Sequence, residues 1–171
     1  MENRIIMMHG LPCSGKTTIA KKLCERWESL FYISTDILRL ELNQTNVFDK
    51  KERLFVYNTL IQRVEDLLAQ KKDIIVDATF STRLYRKKLF DVCKKWNISP
   101  VIFCCFCSDS CLVERMEQRL LSASLDSRLR INTHEMVKSE IEPLDLKELA
   151  GISHPKIFRV NTENYSIEKV I

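Results

Sequence analysis

The chain has 171 residues, of which 45% are hydrophobic and 29% are charged. These proportions are typical of a soluble globular protein, and the length suffices for one hydrophobic core, so we expect a single domain over residues 1–171. The net charge of +4 permits an anionic partner but does not require a polynucleotide. No apolar run reaches the roughly 18 residues of a membrane span. Residues 1–10 do not resemble a signal peptide, and we expect a cytoplasmic protein without membrane contact.

A glycine-containing octapeptide follows the first predicted strand, over residues 4–9. Residues 10–17 read Gly-Leu-Pro-Cys-Ser-Gly-Lys-Thr, and a helix to about residue 28 is predicted after them. This is the phosphate-binding loop G-x-x-x-x-G-K-[ST] of nucleoside triphosphate enzymes. Its backbone N–H groups and the helix N-terminus would surround the β-phosphate. Lys16 would contact the β- and γ-phosphates, and Thr17 would supply a hydroxyl ligand for Mg²⁺. The predicted nucleotide-binding residues are Gly10, Leu11, Pro12, Cys13, Ser14, Gly15, Lys16, Thr17 and Thr18.

Strands and helices alternate along the rest of the chain. Further strands are predicted over residues 30–34, 73–77, 100–106 and 156–160. Helices are predicted from residue 35 and over residues 50–70, 82–96, 109–121 and 133–142. The helix over 50–70 is amphipathic, with an apolar face formed by Leu54, Tyr57, Leu60, Ile61, Val64, Leu67 and Leu68. This order predicts a three-layer α/β fold with a parallel sheet, whose ligands bind at the carboxyl ends of the strands.

Asp36 and Arg39 come directly after the second strand, at the edge of the sheet where the loop lies. A kinase needs a carboxylate to orient the acceptor hydroxyl or to accept its proton, and Asp36 is placed for that role. Arg39, one helical turn further, would hold the acceptor or Asp36. A simple alternative is a surface ion pair near a helix start.

Asp77 closes the apolar third strand. It would hold Mg²⁺ through water or bind the acceptor, and the alternative is a turn or cap residue. Arg83 and Arg86 share one face at the start of the next helix, followed by Lys87 and Lys88. That face would bind an anionic acceptor, or it is simply solvated.

Arg115 and Arg119 lie four residues apart on one predicted helix, and neither has an acidic residue three or four positions away. Two like charges at this spacing repel, and a bound triphosphate would offset the repulsion. Arginines also stabilise the charge on a transferred phosphoryl group. Residues 121–132 are polar and predict a mobile segment, in which Arg128 and Arg130 could close over the nucleotide. A solvated basic surface is the alternative for all four arginines.

Seven cysteines are spread along the chain without the spacing of a disulfide scaffold. Those between residues 104 and 111 have no second ligand pair after them, so small buried hydrophobic side chains are favoured over a zinc site.

Together these motifs resemble the zeta-toxin and polynucleotide-kinase-like group of P-loop kinases. The resemblance is carried by the loop, by Ser-Thr-Asp-x-x-Arg at residues 34–39, and by Val-Asp-Ala-Thr-Phe at residues 76–80 with Arg83 and Arg86. Asp-Ser-Arg-Leu at 126–129 and Glu-Pro-Leu at 142–144 match the lid region and the segment after it. Cys13 departs from the group, which usually has glycine there.

The resemblance implies a five-stranded sheet in the order 2-3-1-4-5, as in adenylate kinase, and a small helical lid over about 119–132. It implies ATP with Mg²⁺ as the cofactor pair, Asp36 as the residue that orients the acceptor hydroxyl, and a lid arginine, Arg119 or Arg128, on the phosphates. In 5′-hydroxyl polynucleotide kinases the equivalents of Asp36 and Arg39 contact the acceptor. By analogy, the turn at residues 161–163 would contact the purine.

The sequence therefore predicts a kinase that transfers the γ-phosphate of ATP, or of another nucleoside triphosphate, to a hydroxyl. Lys16, Asp36, Arg115 and Arg119 are its predicted catalytic residues. Asp36, Arg39, Asp77 and Arg83 would bind the acceptor, which is a small molecule or a nucleic acid 5′ end. The alternative is a nucleotide-binding ATPase or regulatory module without a phosphorylated acceptor.

Overall fold

The computed structural model describes residues 3–44, 46–121 and 136–171. Its strands are β1 (Ile5–His9), β2 (Leu30–Ser34), β3 (Asp73–Asp77), β4 (Val101–Phe106), β5 (Lys156–Asn161) and β6 (Ile167–Lys169). Its helices are α1 (Lys16–Arg26), α2 (Thr35–Glu41), α3 (Lys50–Ala69), α4 (Arg83–Lys95) and α5 (Asp109–Leu121). Residues 136–140 are also helical, and a 3₁₀ helix spans Leu146–Leu149.

The strands form one sheet in the order β2-β3-β1-β4-β5-β6. The first five run parallel, in the predicted order, and β6 pairs with β5 in the antiparallel direction. The expectation of five strands was wrong, because the tail after β5 turns back and adds a sixth strand to the edge. The exposed side chains of this short strand carry little hydrophobic signal.

Apolar side chains of β1 alternate between the two faces of the sheet. Ile5 and Met7 pack into the larger core cluster, together with buried side chains of α3 and α4. Ile6 and Met8 pack into the second cluster, which includes Ala20 of α1. Because both faces are covered by helices, the central strands are nearly continuously apolar, as in other parallel sheets. The predicted three-layer α/β fold is confirmed.

Two predicted segments lie partly outside the described residues. Most of the predicted lid falls there, including the mobile segment beyond Leu121 and the arginines Arg128 and Arg130. The first three residues of the helix expected over 133–142 also fall there, and the described part ends at residue 140 rather than 142. Among the helices that the structure describes, none is long and apolar enough to cross a membrane.

Candidate active site

The phosphate loop connects β1 to α1 and ends at Gly15, the N-cap of α1, whose φ is +88°. A Cβ at this position would lie 2.8 Å from the Cβ of Thr162, so glycine is needed both for the left-handed conformation and for this close approach. Cys13 also has a positive φ, of 65°. Residues with positive φ are typical of the turns whose N–H groups form anion-binding concavities, as the predicted role of the loop requires.

Thr162, directly after β5, contacts the loop at Ser14 and Gly15. Its hydroxyl donates to the carbonyl oxygen of Ser14 at 2.8 Å and accepts from Arg115 NH1 at 2.8 Å. Arg115 also donates to the backbone oxygen of Thr162 at 2.9 Å and to that of Cys13 at 3.4 Å. These bonds join the loop to the end of β5 and to helix α5.

Thr17 and Asp77 meet on the open side of the loop. The Thr17 hydroxyl donates to Asp77 Oδ2 at 2.7 Å, and the Tyr32 hydroxyl donates to the same oxygen at 2.7 Å. Asp77 is buried at the end of β3, and Tyr32 lies in the adjacent β2. Hydroxyl and carboxylate oxygens are ligands that Mg²⁺ prefers, so this pair fits the predicted metal position.

Lys16 lies beside this pair and is largely buried, with 8% of its surface exposed. Its Nζ donates to the carbonyl oxygen of Leu11 at 2.7 Å. Burial lowers the pKa of Lys16, whereas the negative charges of Asp77 and, more weakly, Asp36 raise it. The positive charge of Lys16 therefore interacts with the carboxylates of both Asp77 and Asp36.

One cleft of about 320 Å³ runs from the loop to helices α2 and α3. Pro12, Cys13 and Gly15 of the loop line it, and so do Lys16, Thr17, Asp77, Asp36 and Arg39. Arg39 is half-buried, and Asp36 lies in the first turn of α2, where the N–H of Asp36 bonds Ser34 Oγ at 3.1 Å. Residues that sequence reasoning missed also line the cleft, and they include hydroxyl, aromatic, apolar and charged side chains: Lys21, Tyr32, Ser34, Thr35, Ile37, Leu40, Val47, Arg53, Tyr57, Ala78, Thr79, Ser81, Tyr85, Met136 and Val137.

A second cavity of about 480 Å³ also adjoins the loop, at Cys13 and Gly15. Arg115, Arg119, Thr162 and Tyr165 are among its lining residues. Arg119 is exposed and lines both the cleft and this cavity, whereas Arg115 is half-buried and lines only the cavity. The two arginines therefore differ in their surroundings. The contacts of Arg115 do not support a direct role on the transferred phosphoryl group, because its guanidinium is bonded to Thr162 and to the carbonyl oxygen of Cys13.

Arg83 and Arg86 do not line the cleft. The Arg83 side chain is 60% exposed and forms ion pairs with Asp145 at 3.5 Å and Glu148 at 3.8 Å. Arg86 is fully buried, and its guanidinium donates to both carboxylate oxygens of Glu148 at 2.8 Å. The structure does not support Arg83 as an acceptor-binding residue, because its charge is turned toward the segment around the 3₁₀ helix. The two arginines lie three positions apart in the chain, and both contact that segment.

All seven cysteines are free thiols. Of the four between residues 104 and 111, Cys105 is buried as predicted, whereas Cys104, Cys107 and Cys111 are only half-buried. Burial raises the pKa of Cys105 to about 12 and that of Cys104 to about 11. Beyond the end of β4, ligand atoms of Cys107, Cys111 and Glu163 lie within 4.8 Å of one another. Three ligand atoms are one fewer than a structural zinc site uses, and Glu163 already accepts from the Ser108 N–H.

Residues 5–144 match the sequence profile of a family described as an AAA domain. The chain belongs to this AAA domain family. No curated protein matches the sequence.

Several solved structures share the fold. A sugar kinase from Janibacter sp. HTCC2649 aligns with a TM-score of 0.68 and 15% identity over 93% of this chain and 85% of that one. Kti12 of Chaetomium thermophilum, solved with ADP-AlF3, gives a TM-score of 0.69 and 20% identity over 93% and 89%. The Mycobacterium tuberculosis APS kinase CysC, solved with AMPPNP and APS, gives 0.64 and 20% over 95% and 90%. This AAA domain therefore has the fold of P-loop kinases, and the narrower grouping with zeta toxins and polynucleotide kinases stays a prediction.

Proposed function

We propose that this protein is a kinase that transfers the γ-phosphate of ATP to a hydroxyl acceptor. The observation that carries the proposal is one cleft that is lined both by residues of the phosphate loop and by a carboxylate–arginine pair, Asp36 and Arg39. A protein that only binds or hydrolyses a nucleotide has no need of a second binding space beside the γ-phosphate. The P-loop kinase fold and the family membership support the same class of reaction.

In this proposal the triphosphate lies along the loop, with Lys16 on its β- and γ-phosphates. Mg²⁺ would be held by Thr17 and, through water, by Asp77, and it would neutralise phosphate charge. The base would occupy the cavity between Arg115 and Tyr165, near the predicted purine-contacting turn at residues 161–163. Arg119, which lines both spaces, is the described arginine best placed to reach the phosphates.

Asp36 would orient the acceptor. The acceptor oxygen forms a bond to the γ-phosphorus, the bond from that phosphorus to the β,γ-bridging oxygen breaks, and ADP leaves with the bond electrons. The proton of the acceptor hydroxyl passes to Asp36. The influence of Asp36 on the Lys16 pKa supports this placement, since it indicates that the two groups face the same space.

The test is transfer from γ-labelled ATP with Mg²⁺ to a panel of acceptors, comparing the native protein with Asp36→Asn. The panel should contain 5′-hydroxyl oligonucleotides, nucleosides, nucleotides, sugars and sugar nucleotides. We expect Asp36→Asn to bind ATP normally and to lose at least about 100-fold in transfer, the usual contribution of a positioned proton acceptor. Glu41→Gln, at an exposed position of the same helix, is the matched control.

Equal transfer by Asp36→Asn would contradict the role of Asp36. Release of free phosphate alone, with no labelled acceptor in any class, would favour the ATPase or regulatory module instead. A 5′-hydroxyl nucleic acid end stays one of the candidate acceptors, and the panel decides between it and small molecules.

A further inference from the structure

Three side chains with metal-binding atoms meet beyond the end of β4, outside the cleft. They are Cys107, which follows β4, Cys111 in the first turn of α5, and Glu163 in the turn between β5 and β6. One ligand atom from each lies within 4.8 Å of the other two. Among the residues that the structure describes, this is the one group of three histidine, cysteine or carboxylate side chains with ligand atoms so close together.

Hydrogen bonds of Ser108 hold the three side chains near one another. The N–H of Ser108 donates to the carboxylate of Glu163, and Ser108 Oγ accepts the N–H of Cys111 at 3.2 Å. Because Cys107 is the preceding residue, all three ligands are attached to one short stretch of chain. A carboxylate has about four lone-pair directions, so the bond from Ser108 orients Glu163 and leaves it able to bind an ion. A site that is already assembled loses less entropy when its ligand binds.

Arg115 supplies the positive charge that such a site needs. Two thiolates and a carboxylate carry three negative charges, and a divalent cation leaves one of them uncompensated. Arg115 Nη1 lies 3.5 Å from Cys107 Sγ, so the guanidinium would balance the remaining charge and donate to the thiolate. Without an ion, burial and the neighbouring Cys111 raise the pKa of Cys107 to about 11, so an ion has to displace the proton of this thiol.

The ligand types select the kind of ion. Thiolates are soft ligands that suit Zn²⁺, whereas Mg²⁺ and Ca²⁺ prefer oxygen ligands alone. The group therefore differs from the hydroxyl–carboxylate pair of Thr17 and Asp77. Three protein ligands leave the fourth position of a tetrahedral zinc ion to water, as in zinc sites that are open to solvent. That position is accessible, because Glu163 is exposed and both cysteines are only half-buried.

We propose that Cys107, Cys111 and Glu163 bind one Zn²⁺ ion, with water as the fourth ligand. The expectation that these cysteines only fill space depended on the lack of a second ligand pair in the sequence, and Glu163 supplies a third ligand from a distant part of the chain. The ion would join the end of β4, the start of α5 and the turn after β5. This inference does not depend on the proposed kinase function.

The test is a zinc titration of the full-length chain, kept reduced with a phosphine. Excess Mg²⁺ in the buffer fills sites that consist of oxygen ligands. Competition with a chromophoric chelator gives the stoichiometry and the affinity, and we expect one Zn²⁺ per chain with a Kd of about 1 μM or lower. Co²⁺ bound in place of Zn²⁺ should show thiolate-to-cobalt charge-transfer absorption and the visible bands of tetrahedral coordination.

Variants assign the binding to the three side chains. Loss of a group that only supports a metal ligand costs about 10- to 100-fold in affinity, so loss of a ligand should cost at least about 10-fold. We expect losses of at least this size in Cys107→Ser, Cys111→Ser and Glu163→Gln. Cys24→Ser, at a half-buried cysteine of α1, and Glu168→Gln, at an exposed glutamate of β6, are the matched controls. Both controls should bind zinc like the native chain.

Far-UV circular dichroism shows whether each variant is folded. Cys111→Ser and Glu163→Gln decide the test if Cys107→Ser, which changes a contact of Arg115, does not fold. A Kd above about 1 μM for the native chain would overturn the inference. Binding of Co²⁺ without thiolate-to-cobalt absorption would do the same, and so would a loss of less than about 10-fold in any folded variant of the three ligands.

Discussion

The hydroxyl of Thr17 and the carboxylate of Asp77 are joined by a 2.7 Å hydrogen bond, although 60 residues separate them in the chain. Their elements, α1 and β3, are brought together because β3 lies next to β1 in the sheet, in register from Ile5–Ile74 to Met8–Asp77. The strand order of the fold therefore places a carboxylate beside the last residue of the phosphate loop. The Tyr32 hydroxyl bonds the same carboxylate from β2, on the other side.

The variant Asp77→Asn should weaken nucleotide binding only when Mg²⁺ is present. The amide can still accept hydrogen bonds from Thr17 and Tyr32, but it lacks the negative charge that favours a divalent cation. We expect ATP affinity in Mg²⁺ to fall at least about 10-fold, a typical cost for a group that supports a metal ligand, with little change in EDTA. Calorimetric titration under both conditions measures this. Asp91→Asn, at an exposed ion pair with Lys87, is the control, and an equal loss in EDTA would count against the metal role.

Arg86 is expected to stabilise the fold rather than the site. Besides Glu148, it donates to the backbone oxygens of Phe80 and Glu142 at 2.9 Å and of Pro143 at 3.1 Å. Arg86→Met would leave these buried acceptors without a donor, at a cost of about 3–5 kcal/mol in the free energy of unfolding. Urea denaturation measures this cost. Lys87→Met, next to it but 71% exposed, should change stability by about 0.5 kcal/mol or less. Similar stabilities for the two variants would show that the buried network contributes little.

The sequence predicted the loop, the parallel strands and the carboxylates at the strand ends, because each has a local signature, whereas the strand order was implied by the resemblance to P-loop kinases. Gly15 and Lys16 lie within one octapeptide, and the parallel strands are continuous apolar runs bounded by turns. Asp36 and Asp77 follow such runs directly, and the fold class then places both near the loop. These predictions depend only on residues that are neighbours in sequence. In the structure Gly15, Lys16, Asp36 and Asp77 all line one cleft.

The roles of the arginines could not be predicted in the same way. Arg53 was missed because its position at the start of α3 resembles an exposed one. In the structure it points inward and pairs with Glu140, 87 residues away. Leu54 was placed on the buried face of α3, yet it is 37% exposed. The buried face passes through Arg53, Val56 and Tyr57 instead, and only the partner of Arg53 makes that arrangement favourable. Helical periodicity reports only the burial of neighbouring positions, so it cannot predict the pairing of Arg53 with Glu140.

Thr162 should control how well the loop is held for phosphate binding. Thr162→Val keeps the branched shape that packs on Gly15 but removes the hydroxyl that bonds Ser14 and Arg115. The loss of these buried hydrogen bonds should lower the free energy of unfolding by about 1–3 kcal/mol and should also weaken ADP binding. Thermal unfolding with and without ADP reports both effects. Thr162→Ser, which retains the hydroxyl, should restore most of the stability, and failure of this rescue would locate the effect in packing instead.

His9, the last residue of β1, should make the fold sensitive to mild acid. It is 7% exposed, and its Nδ1 lies 3.0 Å from the carbonyl oxygen of Thr79, which fits a neutral ring with the proton on Nδ1. Burial lowers the pKa of His9 to about 4, with the hydrogen bond to Thr79 opposing the shift and the charges of Arg86 and Lys16 adding to it. The unfolded chain would take up this proton near pH 6.5.

Because the folded pKa is below the unfolded value, the unfolded chain binds the proton first as the pH falls. The contribution of His9 to stability is therefore complete above pH 6.5 and is lost progressively down to pH 4. Between pH 6.5 and pH 5 the loss should be about 2 kcal/mol. Urea unfolding at both values measures it, and the neutral variant His9→Gln should abolish this part of the pH dependence. Glu140 and Glu148, whose pKa values lie below their usual range because of Arg53 and Arg86, lose their contributions at lower pH in both proteins. Equal slopes for the two proteins between pH 6.5 and pH 5 would show that His9 is protonated in the folded state at little cost.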